Sequence, residues 1–128
     1  MKRAVIDIGT NSTRLYVAEV ENSVQTPLFK ELATTRLGEG INRSNTMGAE
    51  PMRRTEKQIC EFIKKAKDAG AEKIYVYATA VVREAKNKDE FTESVFKASG
   101  ERINVIPGEL EGRIAYLGAA EGKKDAGV

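Results

Sequence analysis

The stretch best equipped for chemistry is Asp7-Ile8-Gly9-Thr10-Asn11-Ser12. Asp7 supplies a carboxylate, while Thr10, Asn11 and Ser12 place hydroxyls, an amide and backbone N–H groups around one small concavity. Successive N–H groups in a turn form an anion-binding nest, and a carboxylate beside it can hold a hard cation or a water. Such a set suits phosphate together with magnesium. It also suits an ordinary hairpin turn, in which Asp7 and Asn11 make local hydrogen bonds. Gly9, which has no Cβ, is expected to allow a tight turn at positive φ.

Other candidates lie far along the chain. Arg83 stands four residues after Thr79, on the first turn past a predicted strand. A guanidinium there can fork onto two phosphate oxygens, or sit at the surface as an ordinary arginine. Arg36 precedes Gly38-Glu39-Gly40 and can reach a bound anion or decorate an edge strand. Glu109 and Glu111 open the last predicted helix, where the dipole favours acids in any protein. Glu111 lies deeper, and its neighbours Leu110 and Ile114 can partly desolvate it and raise its pKa towards that of a useful base.

Composition narrows the chemistry. The 128 residues suit one domain and contain no histidine, which removes Ser–His and Cys–His nucleophiles and most zinc sites. With 21 basic and 19 acidic residues, the balance is not that of a nucleic-acid binder. The single cysteine, Cys60, has no partner for an internal disulfide and is expected to be a small core residue. With no signal-like start and no apolar span, the expectation is a cytoplasmic protein that does not enter a membrane.

The elements that must position these residues follow from the patterning. Arg3–Ile6 reads as a buried strand and Leu15–Val20 as a second, running to about Glu21. A third is expected from about Gln25 to Leu37, bent near Pro27, before a polar loop from Gly38 to Asn45. A helix from near Gly48 carries Met52, Ile59, Phe62, Ile63 and Ala66 on one face, and Gly70 ends it. Lys73–Tyr77 is a strand, Ala80–Ala85 a helical turn, and Asn87 with Glu90 forms a capping box for a helix with Phe91, Val95 and Phe96 inward. Gly100 closes that helix, Arg102–Ile106 is a fifth strand, and Pro107-Gly108 leads into a last helix. The order β-β-β-α-β-α-β-α predicts an α/β fold: a ribonuclease-H-like mixed sheet flanked by helices. In such sheets ligands bind beyond the carboxyl ends of the strands, where Asp7, Thr79 and Pro107-Gly108 fall. The tail from Gly122 to Val128 reads as a linker or frayed end.

Taken together these stretches resemble the N-terminal domain of the exopolyphosphatase and guanosine pentaphosphate phosphohydrolase family, within the superfamily of actin, sugar kinases and heat-shock chaperone ATPases. Asp7-Ile8-Gly9-Thr10-Asn11-Ser12 matches its first phosphate motif, and Arg36-Leu37-Gly38-Glu39-Gly40 its RLGEG loop. Ala78–Asn87, ATAVVREAKN, is similar to ATSAxREAxN, Pro107–Arg113 to SGxEEAR, and Tyr116-Leu117-Gly118 to the YxG that follows. The order and context of these motifs carry the resemblance, which covers almost the whole chain. RLGEG and REAKN speak against a sugar-kinase-like or actin-like ATPase lobe.

The resemblance implies a magnesium-dependent enzyme that removes terminal phosphate from inorganic polyphosphate or guanosine pentaphosphate. By position Glu111 matches the catalytic base and Arg83 a phosphate-binding arginine. Asp7, Gly9, Thr10, Asn11 and Ser12 match the first phosphate loop, with Asp7 towards the metal. Leu110, Ala80, Pro107 and Gly112 depart from the family pattern. The family's second loop, DxGGGS, does not occur before Val128. The expectation is therefore a single lobe, 1–128, inactive without its C-terminal partner lobe. Alternatives are a non-catalytic phosphate-ligand or partner-binding module, and self-association into a homodimer through an uncovered apolar face.

Overall fold

The computed structural model describes residues 1–41 and 44–106; the expected last helix, with Glu109, Glu111 and the YxG stretch, lies outside the described residues. Strand β1, Lys2–Ile8, is buried continuously from Ala4 to Ile8, because it lies in the middle of the sheet. It pairs antiparallel with β2, Ser12–Glu21, and parallel with β4, Lys73–Ala78. With β3, Val24–Thr34, and β5, Ile103–Val105, the described strands form one mixed sheet in the order β3-β2-β1-β4-β5. Helix α1, Ala49–Asp68, links β3 to β4; the short α2, Ala80–Arg83, and α3, Lys88–Ser99, link β4 to β5. This is the mixed, helix-flanked α/β sheet that the element order predicts.

Period-2 alternation divides the sheet faces. Ala4, Ile6, Ile8, Leu15 and Val17 pack with Ile59, Phe62, Ile63 and Ala66 of α1 and Phe91 and Val95 of α3. The opposite face of β1 carries Val5, packed with fully buried Tyr77, and Asp7. On α1 the charged residues Lys57, Glu61, Lys64, Lys65 and Asp68 are exposed, as its amphipathic pattern requires. Its end is a Schellman turn. Gly70 at φ +93° lets the N–H of Ala71 reach the Ala66 carbonyl at 3.0 Å and its own N–H reach that of Lys67 at 3.0 Å.

Several expectations are corrected. Strand β3 stops at Thr34 rather than Leu37, because Thr35 and Arg36 turn inward to bond the first loop; Leu37 is fully buried in the core from outside the sheet. The bend near Pro27 is a bulge, with Leu28 the extra residue opposite Val17 and Ala18 on this edge strand. Asn87 precedes α3 but makes no side-chain cap; its amide is engaged elsewhere. Phe96 is only half-buried, covered by the Arg102 guanidinium 4.0 Å from its ring centre. Met52 is likewise half-buried, packed on the edge of the core. Cys60 is half-buried rather than in the core; burial pushes its thiol pKa up, aided by Glu56 and Glu61. Among the described residues no helix is long and apolar enough to cross a membrane.

Ile59→Ala should lower unfolding free energy by about 2–5 kcal/mol in urea denaturation, since the cavity opens in the helix–sheet core. Lys57→Ala, on the exposed face of the same helix, should change it by less than about 0.5 kcal/mol. Equal effects would contradict the assignment of faces.

Candidate functional site

The first loop is closed by its own backbone: the Gly9 N–H donates to the Ser12 carbonyl at 2.9 Å. Thr10 and Asn11 are exposed at the tip, and Gly9 and Ser12 are half-buried. Gly9 is not among the positive-φ residues, which corrects the expected reason for glycine there. A Cβ at Gly9 would stand 3.2 Å from the Ser12 carbonyl oxygen, so close approach of backbone is what the position demands.

A second loop, residues 35–41, lies against this tip. The N–H groups of Thr35 and Arg36 both donate to the Asn11 carbonyl, at 3.1 and 3.0 Å, and that of Gly38 to the Thr10 carbonyl at 3.0 Å. Beneath them the hydroxyls of Thr13 and Thr35 meet at 2.8 Å in a fully buried pair. A Cβ at Gly38 would fall 2.5 Å from Thr10 Cγ2, closer than packed carbons tolerate. With Thr10 in this rotamer, a side chain at 38 would have to push its methyl aside. Arg36 adopts φ +51°, and its guanidinium is exposed with no ion pair among the described residues.

The third component is the edge formed by the strand ends. The parallel registers Ile8↔Ala78 and Ala78↔Val105 bring the carboxyl ends of β1, β4 and β5 to one level. Thr79 follows, buried, and accepts the Arg83 backbone N–H at 2.8 Å. The Arg83 guanidinium reaches across this edge: Nη1 donates to the Ile106 carbonyl at 3.1 Å, and Nη2 meets Glu84 at 3.4 Å. Arg83 thus stands at the edge that the sequence suggested, anchored to the end of β5.

Two hollows open here. One of about 270 Å³ is lined by Thr10 and Gly38 of the loops, Asn45, and Ala80, Val81 and Glu84 around α2. The other, about 540 Å³, lies over the sheet face opposite the described helices and is lined by Asp7, Arg14, Tyr16, Lys30 and Tyr77. Asp7 is 8% exposed and stands beside Arg14 and Tyr77 in the strand registers. The loop tip and the carboxylate at its base therefore open on different hollows. Among the described residues no group of three acidic, cysteine or histidine side chains could hold a metal ion. Glu111 lies outside the described residues.

Sequence reasoning missed the residues that tie these loops down. The Asn87 amide accepts the Met47 N–H at 3.0 Å and donates to the Met47 carbonyl at 2.9 Å, while the Lys86 N–H reaches the Asn45 carbonyl at 2.8 Å. Arg54 of α1 donates to the carbonyls of Thr35 and Arg36. Asn87 stood within a recognised stretch, but its partner is 40 residues away, so local capping was the only role its neighbours suggested.

The mixed sheet, with helical links between its parallel strands and loops gathered at their carboxyl ends, defines a ribonuclease-H-like α/β fold. The chain belongs to the Ppx/GppA phosphatase family, which residues 16–128 match. It is 38% identical over 118 residues to a guanosine-5'-triphosphate,3'-diphosphate pyrophosphatase of Photobacterium profundum, covering 91% of this chain and 24% of that protein. It is 36% identical to a bifunctional 3-dehydroquinate synthase/phosphatase of Fusobacterium nucleatum, covering 91% of this chain and 18% of the other. The crystal structure of the Aquifex aeolicus Ppx/GppA family member superposes with a TM-score of 0.82 at 31% identity, covering 97% of this chain and 40% of that one. The chain thus spans about a quarter or less of the length of these curated relatives.

Gly38→Ala should destabilise the chain by about 1–3 kcal/mol and shift the amide resonances of Thr10 and Asn11, because the new methyl overlaps Thr10. Adding Thr10→Ser, which removes Cγ2, should recover most of the loss. Additive losses in that double-mutant cycle would show that the two loops are not in contact.

Proposed function

We propose that this chain is the N-terminal lobe of a magnesium-dependent hydrolase that cleaves terminal phosphoanhydride bonds of inorganic polyphosphate or guanosine pentaphosphate. The observation that carries the reading is the first loop, seated under the second at the carboxyl ends of the strands, in a chain of the Ppx/GppA family. The similarity to the guanosine-5'-triphosphate,3'-diphosphate pyrophosphatase of Photobacterium profundum supports a nucleoside polyphosphate as one substrate.

Hydrolysing a phosphoanhydride requires positioning, charge neutralisation and an activated water, with no need of a protein nucleophile. That suits a chain without histidine. In this reading the N–H groups of Thr10 and Asn11, the Asn11 amide and the hydroxyls of Thr10 and Ser12 cradle phosphate oxygens, at the turn that Gly9 closes through its own N–H. Arg83 and Arg36 add charge-assisted hydrogen bonds from either side. Glu111 takes a proton from the attacking water.

Magnesium usually keeps several waters and takes one or two carboxylates, with substrate phosphates completing its shell. Asp7 is a single carboxylate at the base of the loop, with no group of three such ligands among the described residues, so an ion there would need substrate and water for most of its shell. Asp7 would hold it directly or through water, and when bound the ion would neutralise developing phosphate charge. The remaining phosphate contacts belong to a second lobe.

The 128-residue chain alone should release little or no phosphate from long-chain polyphosphate with magnesium; turnover near that of a two-lobed relative would contradict the half-site reading. In the complete protein, Glu111→Gln should lower kcat about a hundredfold with KM little changed. Near-normal turnover would reduce Glu111 to a helix-start carboxylate. Ligand binding without turnover in the unmodified complete protein would favour a non-catalytic binding module.

A further inference from the structure

We propose that Arg54 is a positioning residue for the phosphate loop, acting from α1 through the backbone of residues 35–39. Its guanidinium makes a fork onto two successive carbonyls: Nε donates to Thr35 O at 2.9 Å and Nη2 to Arg36 O at 3.3 Å. The N–H groups of those same two residues point the other way and both donate to the Asn11 carbonyl. Each residue is thus gripped on its carbonyl side by α1 and grips the phosphate loop on its N–H side. The Thr35 carbonyl and the Arg36 N–H belong to one peptide unit, so the bond from Nε to that carbonyl also polarises this N–H donor.

Two features make this more than helix–loop packing. Arg36 is a non-glycine residue at φ +51°, a conformation that needs support from its surroundings. The fork on its carbonyl supplies that support, together with the Glu39 N–H that reaches the same oxygen at 2.9 Å. Arg54 also pairs with Glu39 at 2.5 Å, and at 33% exposure its head is shielded more than its neighbour Arg53, 71% exposed and paired with Glu50 on the surface. The planar fork matters: lysine offers a point charge that cannot serve Nε and Nη2 positions at once. The ligand side of this proposal rests on the phosphate-binding reading above; the tether itself does not.

The test compares the unmodified chain with Arg54→Ala and Arg54→Lys. Amide hydrogen exchange reads the tether, and calorimetry with inorganic tripolyphosphate and magnesium reads the site. In Arg54→Ala, exchange at Thr35, Arg36 and Gly38 should quicken about tenfold or more while β1 and β4 stay protected. The dissociation constant should rise about tenfold with unchanged stoichiometry. Arg54→Lys should recover only part of either effect. Unchanged exchange at those amides, acceleration spread evenly through the sheet, or full rescue by lysine would each overturn the proposal. An unmodified chain that binds no tripolyphosphate would overturn the phosphate reading, and the exchange pattern would still decide the tether.

Discussion

The structure depends on two carbonyl oxygens. Those of Thr10 and Asn11 receive the N–H groups of Gly38 and of Thr35 and Arg36, and so convert a hairpin tip and a distant loop into one body. The exposed tip at Thr10 and Asn11 would otherwise rely on the single bond that closes the turn and on water. The buried Thr13–Thr35 hydroxyl pair fixes the base of the contact, and the absence of a side chain at Gly38 lets the backbones close. Preorganisation of this kind is what a phosphate nest needs, because donors already held in place need not be ordered when the anion arrives.

Strand β1 sets the rest of the geometry. As the central strand it is flanked by β2 and β4, and Asp7, near its carboxyl end, is only 8% exposed. Its parallel pairing with β4, and that of β4 with β5, brings three strand ends to one edge, where Arg83 bridges α2 and Ile106. Helices α1 and α3 pack on the other face of β1 from Asp7, leaving a hollow over the sheet at the carboxylate. The same alternation that builds the core from Ala4, Ile6 and Ile8 therefore presents Asp7 away from it.

What could be read from the residues was whatever local spacing encodes. The apolar stripe of α1, the glycine ends at Gly70 and Gly100 and the element order follow from periods and end signals within a few residues. What could not be read depends on partners far away in sequence. Leu37 continues an apolar pattern and looks like strand, yet Thr35 and Arg36 are drawn off β3 by Asn11, 24 and 25 residues earlier. Asn87 looks like a cap because Glu90 follows it, but Met47 offers its amide two backbone bonds at once. Arg54 sat among surface charges on a helix, and nothing near it indicated that two loop carbonyls lay within reach. The first loop was legible as a string of residue types, whereas the reason for Gly9 was a contact with Ser12 rather than a handedness of φ.

The most direct test of a preformed phosphate half-site is an amide-shift titration of this chain with a short polyphosphate and magnesium. The account predicts saturable shifts centred on Gly9, Thr10 and Asn11, extending to Gly38 and the backbone around Arg83, with the rest of the sheet unmoved. A folded chain whose first-loop amides do not respond, or whose only shifts fall on exposed lysines such as Lys64 and Lys65, would contradict it.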